Sequence, residues 1–179
     1  MKSTRPIVLI GMMGSGKTSI GKLVAQELNF TFIDTDFEIE KKLNLSVKEI
    51  FENYGETLFR KKEFDVFKLF GNRNNIIISS GGGSFCNPNT YDLIKKNYLS
   101  VWLDVNEKIL FNRLKRNQKK RPLLYGLKEN ELRNKVKNLI SERKDCYNKA
   151  DIKVELSDQK IKESFYVTYS KIISYISKN

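Results

Sequence analysis

The chain has 179 residues, of which 40% are hydrophobic and 30% charged, a length and composition that are typical of one globular domain and exclude a disordered chain. It contains no histidine, which excludes zinc chemistry with histidine ligands and a Ser-His triad, so a general base must be a carboxylate, a lysine or a tyrosine. The net charge is +12, but lysines are spread along every predicted helix. A solvated surface or a site for a phosphate-bearing small molecule is therefore favoured over a nucleic-acid-binding face, also at the basic cluster between Arg113 and Arg121.

The first half of the chain alternates short apolar runs with amphipathic segments. Residues 5–10 form a β-branched run that ends at a glycine, which predicts a buried strand and is too short for a signal segment or a membrane span. A helical pattern covers about 17–28, and a second strand covers 30–34. Two helices are expected next, one starting near Ser46, where an acid three residues on completes a capping box, and one over about 56–70.

The second half continues the alternation. Its predicted elements are a strand at 76–79 that three glycines end, a helix from Pro88, a strand at 99–103, a helix at 107–116, a basic loop at 117–128, a helix at 129–148, a strand at 152–156 and a helix at 160–177. Strands that alternate with helices predict a single α/β domain, with a five-stranded parallel sheet covered by helices on both faces. Ligands of such sheets bind beyond the carboxyl ends of the strands.

A phosphate-binding loop follows the first predicted strand. Gly11, Gly16, Lys17 and Thr18 match the pattern G-x-x-x-x-G-K-[ST] between a strand and a helix, the context that this motif requires. Glycines let backbone N–H groups turn towards phosphates, the lysine reaches the β- and γ-phosphates of ATP, and the threonine hydroxyl binds Mg²⁺. The candidate nucleotide-binding residues of this loop are Gly14, Ser15, Gly16, Lys17, Thr18 and Ser19.

Missing motifs argue against some classes of phosphate-loop protein. No guanine-specificity motif such as N-K-x-D is present, and motor and helicase ATPases usually have larger cores. A compact domain with arginines spread along the chain indicates a kinase of small molecules or nucleotides.

Two carboxylates follow the second predicted strand. If extended geometry continues, Asp34 and Asp36 point the same way, towards the phosphate loop. One could then hold Mg²⁺ through water, and the other could accept a substrate hydroxyl proton during attack on the phosphate. The alternative is a helix N-cap, which Asp36 could provide, with a solvated acid beside it.

Three arginines and a glycine run complete the candidate site. Arg60 and Arg143 could grip a carboxylate or phosphate with their planar forks, or could form ordinary helical ion pairs with neighbouring acids. The glycines at 81–83 would allow close backbone approach to a ligand, although a flexible surface turn is the alternative. Arg121 lies in the basic loop, from which it could close on phosphates and stabilise developing charge.

Together these motifs resemble those of the shikimate kinases. The resemblance spans about residues 5–151, in the order and near the spacing of that family. The combination is highly specific, and its members are G-M-M-G-S-G-K-T at 11–18, D-T-D at 34–36, F-R at 59–60, S-G-G-G at 80–83, R-P-L-L at 121–124 and E-R-x-x-x-Y at 142–147.

The resemblance implies transfer of the γ-phosphoryl group of ATP to the 3-hydroxyl of shikimate, a step of aromatic amino-acid biosynthesis. It also implies a substrate-binding region at about 35–62 and a lid at about 115–128. The implied catalytic residues are Lys17, Asp36 and Arg121. The implied ligand contacts are Arg121 for ATP, Thr18 and Asp34 for Mg²⁺, Asp36, Arg60, Gly81, Gly82, Gly83 and Arg143 for shikimate, and Val47, Phe51, Phe59, Pro122 and Leu123 as apolar neighbours of its ring.

Some positions stay open. The arginine that stacks on adenine in the family is Arg113 or Arg116 here, and no residue of the segment 157–159 is matched to the adenine loop. A kinase of gluconate or of a nucleoside monophosphate is the second hypothesis, and an ATPase stimulated by nucleic acid is a third. We expect a cytoplasmic monomer with no nucleic-acid or membrane partner, whose Cys86 and Cys146, far apart in sequence, are free thiols.

Overall fold

The computed structural model describes residues 5–118, 121–158 and 160–178. Some predictions concern residues that are not described. These residues are Lys119 and Lys120 of the basic loop, Gln159, and Pro122 as regards its side chain. The apolar, β-branched runs form the strands β1 (Ile7–Ile10), β2 (Thr31–Asp34), β3 (Ile76–Ser79), β4 (Leu99–Val105) and β5 (Ile152–Leu156). The helices are α1 (Lys17–Leu28), α2 (Thr35–Leu43), α3 (Val47–Phe70), α4 (Pro88–Asn97), α5 (Glu107–Arg116), α6 (Glu129–Tyr147) and α7 (Ile161–Lys178), with short 3-10 turns at Ser84–Cys86 and Pro122–Leu124.

All five strands pair in parallel in the order β2-β3-β1-β4-β5, which confirms the predicted five-stranded parallel sheet of an α/β fold. The fully buried β1 lies at the centre, where Ile7 pairs with Ile77 of β3 on one side and with Leu99 of β4 on the other. Helix α1 packs against α7, whereas α4 packs against α3 and β4. The chain passes from β1 to one side of the sheet first and to the other side later, so the carboxyl end of β1 faces the crevice where ligands of such sheets bind.

The sequence interpretation was wrong at the end of β2. Between the second strand and Ser46 it considered a helix only as the alternative in which Asp36 is the cap, whereas α2 begins at Thr35, directly after β2. The side chain of Asp34 accepts hydrogen bonds from the backbone N–H groups of Asp36 (3.1 Å) and Phe37 (3.4 Å) and so caps the new helix. Extended geometry therefore ends at Asp34, and Asp36 is a first-turn residue rather than the cap.

The two helices predicted after Ser46 are confirmed. They are joined within α3 at a kink, where Gly55 has φ 77° and ψ 173°, a conformation that favours glycine. The capping box is also present, since Glu49 N donates to Ser46 Oγ (3.2 Å) and Ser46 N donates to Glu49 Oε2 (2.7 Å). Within the described ranges, no helix has the length and apolar character needed to cross a bilayer.

Candidate active site

The phosphate loop connects the end of β1 to the start of α1. Its glycines take positive φ values, 134° at Gly11, 81° at Gly14 and 96° at Gly16, and a Cβ on Gly11 would lie 2.7 Å from the carbonyl oxygen of Leu103. Helix α1 starts after Gly16 with no side-chain cap and no acid in its first turn. Its first N–H groups thus remain available to an anion.

Lys17 is the buried cation of this loop. Its Nζ donates to the carbonyl oxygens of Gly11 and Met12, each at 2.9 Å. Burial, together with the charge of Arg121, lowers the pKa of Lys17 to about 8, although the carboxylates of Asp36 and Asp34 act in the opposite direction. An anion bound in the loop would relieve both the desolvation and the repulsion between cations.

Thr18 and Asp34 form a pair of hard oxygen ligands beside the loop. Thr18 Oγ1 donates to Asp34 Oδ2 at 2.8 Å and lies 3.3 Å from Ser79 Oγ at the end of β3. A hydroxyl and a carboxylate suit Mg²⁺, which commonly takes one or two protein ligands and completes its shell with water and phosphate oxygens. The residues present therefore fit the ion that the sequence implies.

One carboxylate oxygen of Asp36 has no partner among the residues that the structure describes. This oxygen, Oδ1, is buried. Burial, the charge of Glu63 and the charge of Asp34 raise the pKa of Asp36 to about 6, against the smaller effects of Lys17 and Arg121. A hydroxyl donor of a ligand would satisfy the orphaned oxygen.

Arg60 is held by two acids of its own helix. Its Nη1 donates to Glu63 Oε2 at 2.7 Å, and its Nε and Nη2 donate to Glu56 Oε1 at 3.0 and 2.7 Å. The helical ion pair considered from the sequence is thus real, but it is not a surface pair, because Glu63 is completely buried. Glu63 also accepts a very short hydrogen bond from Ser84.

The three glycines after β3 allow side chains of the site to approach the backbone closely. A Cβ on Gly83 would lie 2.5 Å from Nη2 of Arg60, and a Cβ on Gly81 would collide with the carboxylate of Glu63. The carbonyl oxygen of Gly82 accepts from Arg143 Nη1 (3.1 Å) and from the hydroxyl of Tyr147. These contacts favour the functional interpretation of the glycine run over a flexible surface turn.

Two adjoining cavities meet above these residues. The larger, with a volume of about 600 Å³, is lined by the phosphate loop, Asp34, Arg113 and residues of α7. The smaller is lined by apolar side chains and by Arg60 and Arg143. Residues that line both are Met13, Asp36, Gly81, Gly82 and Arg121.

Apart from Pro122, whose side chain is not described, the predicted catalytic and ligand-binding residues lie in one of the two cavities or in both. The loop residues Gly14 to Ser19 and Asp34 line the larger one, whereas Gly83 and the predicted apolar neighbours Val47, Phe51, Phe59 and Leu123 line the smaller one. Of the two candidate arginines for adenine, Arg113 lines the larger cavity and donates from Nη1 to the carbonyl oxygen of Gly14 at 3.2 Å. Arg116 is exposed and is not among the lining residues.

Several residues of the site were missed from the sequence. The burial of Glu63 under the glycine run has no local signal, because the surrounding segment has the pattern of an ordinary charged helix. Tyr147 was seen only as part of a motif, yet it bonds the same carbonyl as Arg143. Ile161 and Ser164 of α7 line the larger cavity, far along the chain from any motif.

Comparisons with known proteins agree with this geometry. The family model described as shikimate kinase matches residues 13–176 of the chain. The shikimate kinase of Sulfurihydrogenibium sp. is 42% identical over 148 residues, which cover 83% of this chain and 86% of that protein. The shikimate kinase of Aquifex aeolicus is 40% identical over 149 residues, 83% of this chain and 85% of that protein. A solved structure of the shikimate kinase from Acinetobacter baumannii in complex with shikimate has a TM-score of 0.88 at 29% identity and covers 98% of this chain and 94% of that one.

Proposed function

The chain belongs to the shikimate kinase family, and on that premise we propose that it transfers the γ-phosphoryl group of ATP to the 3-hydroxyl of shikimate, giving shikimate 3-phosphate and ADP. The observation that carries the proposal is the junction of the two cavities, where Asp36, with a buried and unpartnered oxygen, lies between the phosphate loop and the two arginines. Phosphoryl transfer depends mainly on positioning and charge stabilisation, and this junction is suited to both.

The donor occupies the larger cavity in this proposal. Lys17 exchanges its two carbonyl acceptors for the β- and γ-phosphate oxygens, while Gly14 to Ser19 donate backbone and hydroxyl hydrogen bonds. Arg113 provides the flat guanidinium against the adenine ring. Thr18 and Asp34 would hold Mg²⁺, and the ion would supply charge neutralisation at the phosphates.

The acceptor occupies the smaller cavity. Arg60 and Arg143 grip its carboxylate, since each guanidinium keeps N–H donors beyond those used by Glu56, Glu63 and the carbonyl of Gly82. The ring lies against the apolar side chains, which are Val47, Phe51, Phe59 and Leu123.

Asp36 acts as the general base. Its carboxylate accepts the proton of the 3-hydroxyl as the oxygen attacks the γ-phosphorus, and ADP leaves with the bonding electrons. Arg121, which lines both cavities, stabilises the charge on the transferring group. A pKa of about 6 keeps Asp36 ionised at neutral pH and still basic enough to accept the proton.

We further propose that the chain is one domain with a substrate-binding region at about 35–62 and a lid at about 115–128. The lid carries Arg121 and closes when both ligands are bound. A cytoplasmic location, a monomeric state and the absence of nucleic-acid and membrane partners remain predictions.

The test is an ADP-release assay with shikimate, gluconate, nucleoside monophosphates and RNA in parallel. We expect turnover with shikimate that depends on Mg²⁺, and no stimulation by RNA. Turnover with gluconate or a nucleotide but not with shikimate would overturn the proposed acceptor. ATP hydrolysis stimulated by RNA and indifferent to shikimate would overturn the proposed reaction.

A further inference from the structure

The fold brings together two cysteines that are far apart in the sequence. Cys86 ends the 3-10 turn Ser84–Cys86 that follows the glycine run, and Cys146 lies in the last turn of α6. The turn and the helix are in contact, and the thiol of Cys146 is close enough to that of Cys86 to raise its pKa. Both residues are free thiols and both are partly exposed to solvent. A small reagent in solvent can therefore reach this thiol pair.

The thiol pair adjoins the proposed carboxylate grip of the acceptor pocket. Cys86 is close enough to Arg143 and Arg60 for their charges to act on its pKa, and both cysteines are close enough to Tyr147 to raise the pKa of its hydroxyl. Cys146 is the neighbour of Tyr147 in the chain and lies one turn from Arg143, the two residues that donate to the carbonyl oxygen of Gly82. The thiol pair therefore lies beside residues that contact the backbone of the acceptor pocket at Gly82.

We propose that Cys86 and Cys146 are a redox-modification site. A small disulfide such as oxidised glutathione oxidises the two thiols to an internal disulfide, which lowers kcat/KM for the acceptor. The consequence for the acceptor rests on the proposed function, whereas the chemistry at the two sulfurs does not.

The reaction is a pair of thiol-disulfide exchanges. The thiolate of Cys146 attacks one sulfur of oxidised glutathione, which releases one glutathione thiolate and leaves a mixed disulfide on Cys146. The thiolate of Cys86 then attacks Sγ of Cys146 and releases the second glutathione. Two protein thiols are oxidised, one glutathione disulfide is reduced to two thiols, and the two protons pass to the released thiolates or to buffer.

This order follows from the surroundings of Cys86. Burial and the neighbouring thiol of Cys146 raise its pKa to about 12, so Cys86 is a poor first nucleophile. In the second step its reaction is intramolecular, and proximity compensates for the small fraction of thiolate.

The mechanical consequence comes from the shortening of the sulfur-sulfur distance. A disulfide bond is about 2.05 Å long, far shorter than the contact distance of two sulfur atoms that are not bonded, and Cys86 and Cys146 are free thiols. Closing that gap pulls the Ser84–Cys86 turn, and the glycine run before it, towards α6. Because a displacement of about 1 Å can cost up to about a hundredfold in turnover, we expect a loss of about tenfold in kcat/KM for shikimate.

The experiment treats the full-length protein with oxidised glutathione and follows mass and kinetics together. We expect the mass to fall by two hydrogen atoms, kcat/KM for shikimate to fall about tenfold with a smaller change for ATP, and both effects to be reversed by dithiothreitol. The matched controls are Cys86→Ser, which should stop at a mixed disulfide on Cys146, and Cys146→Ser, which should stay unmodified at position 86 and keep its kinetics.

Two results would overturn the inference. A mixed disulfide in the unsubstituted protein without an internal disulfide would show that the two sulfurs do not meet. An internal disulfide with unchanged kinetics for shikimate would show that the thiol pair is not coupled to the acceptor pocket. Since the mass is read independently of turnover, a protein that fails to phosphorylate shikimate would still show whether the two cysteines form a disulfide.

Discussion

Asp36 offers a direct test of the proposed site. Its carboxylate should be required for turnover, and the same carboxylate should lower the free energy of unfolding. Its pKa is raised from 3.8 to about 6 by burial, by Glu63 and by Asp34. A carboxyl group whose pKa is higher in the folded state binds its proton more tightly there than in the unfolded chain. Ionised Asp36 therefore destabilises the fold, and Asp36→Asn should remove this penalty.

The magnitude follows from the size of the shift. Each pKa unit corresponds to about 1.4 kcal/mol, so a shift of roughly two units gives a penalty of about 3 kcal/mol at neutral pH. A buried asparagine amide that lacks full pairing costs about 1 kcal/mol or more. We expect a net stabilisation of about 1–2 kcal/mol, which for a domain of this size raises Tm by about 2–8 °C.

The dependence on pH distinguishes this cause from a change in packing. The penalty is absent below the unfolded pKa of 3.8, grows as pH rises from there to about 6 and is complete above that value. Urea denaturation of Asp36→Asn and of the unsubstituted protein at pH 4 and pH 8 measures it. The matched control is Asp92→Asn, which removes an exposed carboxylate of α4 and should change stability little at either pH.

The variant should also lose most of its turnover while ATP affinity changes little, because asparagine cannot accept the hydroxyl proton. Equal stability differences at pH 4 and pH 8 would refute the electrostatic reasoning. A variant that turns over normally would show that Asp36 is not the base, whatever its effect on stability.

Four further predictions concern the rest of the site. Arg143→Lys should raise KM for shikimate and leave that for ATP nearly unchanged, because a point charge cannot replace the fork; a change confined to ATP would contradict the assignment. Below about pH 6, kcat/KM for shikimate should fall about tenfold per pH unit as Asp36 is protonated, and a midpoint near pH 4 would exclude it as the titrating group. Lys48 Nζ lies 4.4 Å from the ring centroid of Tyr125 in the predicted lid. Tyr125→Leu removes this cation–π contact and should lower kcat/KM for shikimate about two- to fivefold, whereas Lys48→Arg should leave kcat/KM unchanged. ATP binding at pH 8 should take up about half a proton as Lys17 becomes fully charged, given its lowered pKa of about 8, and calorimetry in buffers of different ionisation enthalpy would detect it; a heat independent of the buffer would contradict it.

The features that were predictable from the sequence are those with local causes. The phosphate loop is a continuous motif between a strand and a helix, and the apolar runs of the parallel sheet contrast clearly with the polar helices. The capping box at Ser46 and the break at Gly55 are equally local, since each depends on residues within one turn. For the same reason the fold class, the five strands and the loop between β1 and α1 were predictable from the sequence.

The errors and omissions have non-local causes or weak local signals. Helix α2 was missed because its apolar residues Phe37, Ile39 and Leu43 give little helical periodicity, so that its start depends on the cap at Asp34. The burial of Glu63 depends on Ser84 and Gly81, which follow it by about twenty residues. The meeting of the two cysteines depends on contact between a turn and a helix that are far apart in the chain.

The electrostatics of the site also explain why its function and stability should oppose each other. Lys17 is repelled by Arg121 and Arg143, and Asp36 is repelled by Glu63 and Asp34, so each group of like charges is strained when no ligand is bound. In the proposed reaction, phosphates would relieve the first group and a substrate hydroxyl would satisfy Asp36, so a donor and an acceptor that bind together would remove both costs. The acids and the cations partly stabilise each other across the junction, since Asp36 raises the pKa of Lys17 and Lys17 lowers that of Asp36. Burial and like charges around Lys17 and Asp36 therefore lower the free energy of unfolding. The same burial and like charges favour binding of a ligand atom of opposite polarity at each group.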